Sequence, residues 1–422
     1  MPQPLIVQKY GGTSVATAGR ILECARRTAD LVKAGHRAVV VVSAMGQATD
    51  DLIALAKQVN PRPPERELDM LLATGEQVST ALFTMALEGM GVPAAGFTAH
   101  QVGIRTDGVF TRARITGVDA SRVRGALAEG KTCVVAGFQG VTEDHDVTTL
   151  GRGASNITAV ALAAVLGAER CELLTDVDGI YTADPRVVPE ARRLQRISHE
   201  EIMELASMGA RVMQTRTVEL AKKHGVKLLV ASSFQAVPGT LICGEEPDME
   251  EVSVSGLVLN TDEAKVTVQA VKDEPGVAWR IFESLAERHV NVDMIVQNVS
   301  GQAGRTDVTF TVEKSDLVAA LSAAKGLVAA GVARGVVADE SIAKLSVVGL
   351  GMRTHAGVAA RMFRTLADEG INIQMISTSE IKISVVVAEA DGARAARALH
   401  RAFGLEKPPA PGKKARPKRK RS

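Results

Sequence analysis

Four short stretches carry residue types and spacings suited to phosphoryl chemistry. In "KYGGTS", Lys9 stands just before Gly11 and Gly12. A lysine there reaches a phosphate as a point charge while the glycines let backbone amides approach closely. "TTLGRGASNITAV" (148–160) crowds glycines, threonines and Arg152 ahead of an alanine-rich apolar run, as a phosphate-cradling turn entering a helix does. Arg152 offers a planar fork to an anion, and Ser155 a hydroxyl. No carboxylate falls between Arg152 and Val160, and Asn156 stands where a charge is expected. "ATGEQVS" offers Glu76, which could accept a substrate ammonium or, as a helix-start carboxylate, backbone amides. "TDVDGIYTADPR" (175–186) holds three aspartates and an arginine: a nucleotide cradle, or a surface loop rich in Asx turns.

Other chemistries find no support. GxxxxGK[ST] is absent, as are the H-R-D and D-F-G sets of protein kinases. The eight histidines show no metal-ligand spacing, no Ser-His-Asp order stands out, and His355 reads as a loop residue. Aromatics make up 3% of the 422 residues, which disfavours a stacking platform for single-stranded nucleic acid. Eight lysines and arginines and no acid lie between Lys407 and Ser422. Residues 1–406 therefore carry 42 basic against 48 acidic side chains, a net of −6 beside a basic tail. Residues 406–422, rich in proline as well, read as a disordered solvated tail, or as a tether for nucleic acid or a membrane surface. Four dispersed cysteines without CxxC, no signal-peptide pattern and no apolar run of spanning length imply a reduced, cytoplasmic protein with no membrane partner.

Residues 1–245 must hold the four stretches in place, and they alternate short apolar runs (5–8, 38–42, 132–136, 171–174, 227–230) with helical patterns such as 20–33. That predicts βαβ units and a mostly parallel α/β sheet with helices on both faces. Polar turns follow most of the runs, and in such sheets ligands bind outside the carboxyl ends of the strands. The texture changes near Gly244: residues 246–263 read as a linker and a strand leading into a regulatory part. An internal repeat follows. "AKVTVQAVKDEPGVAWRIFESLAERHVNVDMIVQNVS" begins at Ala264, and "AKLSVVGLGMRTHAGVAARMFRTLADEGINIQMISTSE" at Ala343. Each copy reads strand, glycine turn, helix, "N-[VI]" turn, strand, half of a βαββαβ ferredoxin-like unit. The expected α+β units span 264–338 and 339–405.

In this order the motifs resemble the aspartate kinase family. The carriers are "KYGGTSVA", "VVSAMGQATD", "LATGEQVS", "GFQG", "TTLGRGASNITAVALA", "TDVDGIYTADPR" and the tandem repeat with "STSEIKISVVV". The match covers about residues 5–405. The resemblance implies an amino-acid-kinase fold with paired ACT domains that sense end-product amino acids. It also implies transfer from ATP, accompanied by Mg²⁺, to L-aspartate, giving 4-phospho-L-aspartate for lysine, threonine and methionine synthesis. By the same resemblance Lys9, Tyr10, Gly11, Gly12 and Ser43 hold the ATP phosphates. Thr175, Asp176, Tyr181, Arg186 and Arg211 border the nucleotide, and Thr49, Glu76, Arg152, Gly153 and Ser155 hold aspartate. Lys9 and Asn156 occupy the catalytic positions. A regulatory amino acid, lysine or threonine, is placed at 272–278 and 291–298. There Asp273 or Asp293 meets its ammonium and the Gly276 turn its carboxylate, beside Val277, Ala278, Asn291, Gln297 and Asn298. ACT pairing implies homo- or hetero-oligomers.

The chain departs from the family pattern G-R-G-G-S-D-T-T at three positions: Ala154 replaces a glycine, Asn156 the aspartate and Ile157 a threonine. Arg211 replaces a customary lysine, and Ala231 an arginine common before "SSF". Two readings follow: a regulated aspartate kinase, or an amino-acid-sensing protein with a silent kinase domain. A third, acetylglutamate or glutamate 5-kinase, is disfavoured by the tandem repeat and "TTLGRG".

Overall fold

Runs of Val, Ile and Leu too apolar to face water on either side become the strands of one eight-stranded sheet. Its order is Arg196–Ser198, Thr240–Cys243, Leu228–Ser232, Arg170–Thr175, Leu5–Tyr10, Arg37–Val42, Thr132–Ala136, Ala94–Phe97. Every neighbouring pair is parallel except Leu228–Ser232 with Thr240–Cys243. Val39 to Val42 are fully buried, as a strand covered by helices on both faces must be. The computed structural model describes residues 3–151, 153–208, 213–245, 254–297, 304–353, 355 and 357–407. The chain divides into two units, one of residues 1–180, 193–203 and 211–245, the other of 181–192, 204–210 and 246–422.

In the first unit, helix Ala18–Lys33 starts on Thr17, whose hydroxyl accepts the Arg20 N–H, and covers the expected 20–33. It buries Ile21, Cys24, Ala25 and Ala29 against the strands. A small four-stranded sheet that periodicity did not reveal orders Ile115–Val118, Ile104–Thr106, Gln139–Val141, Val147–Thr149. Its strands are three or four residues long and each but Gln139–Val141 carries threonine. The helix Glu65–Gly89 packs Leu72 into a satellite core with Phe138, Leu150, Ala154 and Ile157 beside this sheet.

In the second unit both repeat copies fold into four-stranded antiparallel sheets. One orders Ile295–Gln297, Arg305–Glu313, Glu263–Lys272, Gly335–Asp339; the other orders Gly256–Asn260, Ile342–Val348, Lys382–Ala388, Met375–Thr378. The strand Gly256–Asn260, expected to lead into the regulatory part, is the edge strand of the second copy's sheet. The first ferredoxin-like unit is thus nested inside the second. Residues 181–192 also belong here: Ala183 and Val188 enter its core, Thr182 O accepts the Leu257 N–H, and Thr182 Oγ bonds His400 Nε2 at 2.9 Å.

The repeat's pseudo-symmetry is visible in its charges. Lys265 and Lys344 hold equivalent positions. Lys265 donates to Gln374 of the other copy, and Lys344 donates to Glu263 and to Asp293, the counterpart of Gln374. Lys344 is 2% exposed, so its removal leaves buried carboxylate behind, at a cost of about 3–5 kcal/mol. Lys344→Met is expected to lower the urea midpoint accordingly, whereas Lys265→Met, at a more exposed pair, shifts it by less than about 1 kcal/mol. Fluorescence of Trp279, the chain's single tryptophan and part of helix Val277–Ala286, reports this unit alone.

Candidate active site

The strand Leu5–Tyr10 lies between Arg37–Val42 and Arg170–Thr175, so the turns after all three converge at one sheet edge. Lys9 sits near the end of the central strand. Its ammonium is enclosed by its surroundings, and burial pushes its pKa down to about 8 against the opposing pull of Cys171 and Asp176. Gly11 and Gly12 follow. A Cβ on Gly12 would stand 2.9 Å from the Ala44 carbonyl oxygen, so only glycine lets this turn lie against the turn after Val42. Ser43, the first residue of that turn, donates through Oγ to Ser155 Oγ at 3.0 Å. Ser155 opens the helix Ser155–Leu166, whose N-terminus favours anions.

Lys9, Asn156, Leu174, Thr175, Met213 and Val230 line one narrow recess. Asn156 Oδ1 is buried there without a hydrogen-bond partner. Ala154 is helical (φ −73°, ψ −3°), so replacing the family glycine introduces no backbone strain at this position. Gly153 keeps a positive φ of 74°. Thr49 lies in the first turn of helix Ala48–Val59.

Glu76 is no helix-start carboxylate: it sits in the middle of Glu65–Gly89 and is 3% exposed. Its Oε1 accepts the Ala44 N–H at 3.0 Å, and its Oε2 is buried without a partner. Gly75 makes this contact possible, since a Cβ there would come 2.8 Å from the Ala44 Cβ. Burial pushes the Glu76 pKa up to about 7. A buried carboxylate oxygen in this state calls for a cation.

The remaining expected positions lie in varied surroundings. The Tyr10 ring is fully buried in the hydrophobic core, its hydroxyl donating to Cys24 O at 3.2 Å, so only its backbone is near the turn. Thr175 Oγ donates to Asp176 Oδ1 at 3.0 Å at the end of its strand. Tyr181 and Arg186 fall in the second unit, and Arg186 donates at 2.6 Å to Asp184 of its own loop. That pairing matches the Asx-rich surface loop weighed for this stretch. Ala231 is buried, 1% exposed, opposite Leu174 on the neighbouring strand. Arg152, Arg211 and Asn298 lie outside the described residues, as do 408–422 of the tail.

In the second unit, Gly276 caps helix Val277–Ala286 with φ 93°, matched by Gly357 (φ 99°) in the other copy. Asp273, Ala278, Asn291 and Gln297 are exposed. Val277 is 5% exposed and belongs to the core, so its side chain is not presented to a ligand. Asp293 accepts from Lys344 through Oδ2 and is about half exposed (49%). No helix among the described residues is long and apolar enough to cross a membrane.

Sequence reasoning overlooked the Ala44 amide, Asp69 and Arg216. Asp69 precedes Glu76 by seven residues, two helical turns, so helical periodicity could have found it.

Comparison with known proteins agrees with this architecture. Residues 4–232 match the amino acid kinase family, and 252–326 and 345–403 match the ACT domain. The aspartokinase of Pseudomonas aeruginosa is 53% identical over 406 residues, covering 96% of this chain and 98% of that one. The structure of E. coli aspartokinase III in complex with aspartate and ADP superposes with a TM-score of 0.75 at 27% identity, covering 94% of this chain and 99% of that one. The same enzyme with lysine and aspartate gives 0.76 at 27% identity, covering 95% and 99%. With kinase and ACT segments both matched, and half the residues shared along nearly the whole length, this chain belongs to the aspartokinase family.

Proposed function

We propose that the first unit transfers the γ-phosphoryl group of ATP, carried with Mg²⁺, to the side-chain carboxylate of L-aspartate. An aspartate oxygen bonds to the γ-phosphorus as the bond to the β,γ-bridging oxygen breaks, giving 4-phospho-L-aspartate and ADP. The nucleophile is a carboxylate, ionised at pH 7, so no general base is required. The rate then comes from positioning and from charge placed on the phosphoryl oxygens. Lys9 and the amides of the Gly11–Gly12 turn supply that charge, and Ser43, Thr175 and Asp176 lie on adjoining strand ends. Thr49, Gly153, Ser155 and Arg152 complete the aspartate side.

The observation that carries this reading is Glu76. Its buried, unpartnered Oε2 lies one backbone hydrogen bond from the turn holding Ser43, which suits the ammonium of an amino-acid substrate. Trapping the acyl phosphate as its hydroxamate tests it. ATP- and aspartate-dependent hydroxamate is expected, and its absence from folded protein would overturn the reading.

The ACT pair binds a regulatory amino acid, lysine or threonine, at 272–278 with Asn291 and Gln297. Asp273 takes the ammonium and the Gly276 amides the carboxylate. Inhibition then requires different effector affinities in the active and inactive kinase states. One observation favours a second reading, a silent kinase domain kept for sensing: Asn156 gives the Lys9 recess an amide where the family places a charge.

A further inference from the structure

We infer that Asp69 is a positioning residue for the amino-acid substrate, holding the glycine turn that begins at Gly151 in fixed relation to Glu76. The inference rests on the assignment of Glu76 and that turn to the amino-acid substrate.

Asp69 and Glu76 lie two turns apart on one face of the helix Glu65–Gly89, about 10 Å along its axis. Asp69 is fully buried and its acceptors face two separate segments. Oδ2 accepts the Thr111 N–H at 2.8 Å and the Thr149 N–H at 2.7 Å, and Oδ1 accepts the Thr149 hydroxyl at 2.7 Å. These segments reach each other as well, because Thr149 O accepts the Ala113 N–H at 2.9 Å.

Two features show that the carboxylate imposes a geometry. Thr111 has φ +64°, a conformation that a β-branched residue holds only where its surroundings dictate it. Its carbonyl oxygen stands 3.6 Å from where a Cβ on Gly151 would lie, so the strained residue abuts the turn itself. The next residue is also tied: Leu150 N donates to Phe138 O at 2.9 Å, and Leu150 O accepts from Arg216 Nη1 at 3.3 Å. The turn therefore leaves from a clamped start at Thr149 and Leu150 and ends at Ser155, which bonds Ser43. The helix that carries Glu76 is thus also the one that sets where the turn begins.

Asp69→Asn keeps the size but sets an NH₂ group against amide or hydroxyl donors. Steady-state kinetics of this variant, Thr149→Val and Thr149→Ser test the idea. Misplacement by an ångström costs up to about 100-fold. The aspartate KM of Asp69→Asn is expected to rise about 10- to 100-fold with the ATP KM within about two-fold. Thr149→Val should follow in the same direction, and Thr149→Ser, which keeps the hydroxyl, should restore the wild-type value. A lower Tm with both KM values unchanged, or both KM values raised alike, would overturn the inference. Wild type without turnover would count against the kinase reading instead. Calorimetric affinities for aspartate and ATP in the same four proteins then decide the question: selective loss for aspartate upholds the role of Asp69, and equal affinities refute it.

Discussion

At pH 8, Glu76→Gln is expected to melt several degrees above the wild type while losing aspartate binding. Burial raises the Glu76 pKa from the ordinary 4.5 to about 7 in the folded chain. The folded state therefore holds this proton more tightly than the unfolded state does. As pH rises past 4.5 the unfolded chain ionises first and stability begins to fall. The loss is complete above pH 7, where it amounts to about 3 kcal/mol. Glutamine stays neutral and carries none of this cost, so the two proteins should melt together near pH 4 and diverge as pH rises. Substrate binding reverses the balance. In the proposed role, the carboxylate that burial destabilises pairs with the substrate ammonium, and removing one member of a buried charge pair costs about 2–5 kcal/mol. Aspartate affinity should fall at least about 30-fold in the variant, and in the wild type it should strengthen from pH 6 to 8. Differential scanning and titration calorimetry at both pH values read the two effects. A variant no more stable at pH 8, or one that still binds aspartate normally, would refute the assignment.

The legible parts of the chain were those in which side-chain type and backbone role coincide. The Val-rich runs at 38–42 and 132–136 announce buried parallel strands because nothing else there could be tolerated on either face. The repeat announces its two sheets because Ala264 and Ala343 begin the same hydrophobic pattern. Short polar strands were not legible: Val147–Thr149 looks like part of a phosphate turn until the Gln139–Val141 strand pairs with it. Pairings between distant segments were equally hidden. Nothing local tells Asp293 that Lys344, fifty-one residues on, will claim it, or places Gly256–Asn260 beside Ile342–Val348 rather than with the repeat it precedes. Tyr10 misled because its motif is read as a unit. In a strand, alternate residues face opposite ways, so when Lys9 points to one side Tyr10 goes to the other, into the core. Ala154 carried the opposite risk. A lost glycine suggests strain, but the backbone there is helical and alanine fits it.

Asn156→Asp tests what the amide does beside Lys9. Asn156 lies in the first turn of the helix Ser155–Leu166, where the helix dipole favours a negative charge. Its Oδ1 is already buried and unpartnered in the recess shared with Lys9. With its pKa lowered to about 8, Lys9 begins to lose its charge just above neutral pH, and Asp176, whose carboxylate opposes that shift, is exposed. A carboxylate at 156 raises the Lys9 pKa, so the alkaline limb of kcat/KM should move up by about one pH unit. A missing electrostatic contributor of this kind typically costs roughly 10²–10³ in rate, so kcat should rise by up to that factor in the variant. pH–rate profiles of both proteins, by hydroxamate formation, give both quantities. A fall in kcat would mean that the amide is the working group: its NH₂ donates to a phosphoryl oxygen that a carboxylate repels. Activity appearing only in the aspartate variant would identify the natural chain as a sensor silenced at this one position. The wild-type rate then decides between kinase and sensor, and the direction of the change decides whether Asn156 is a loss or an adaptation.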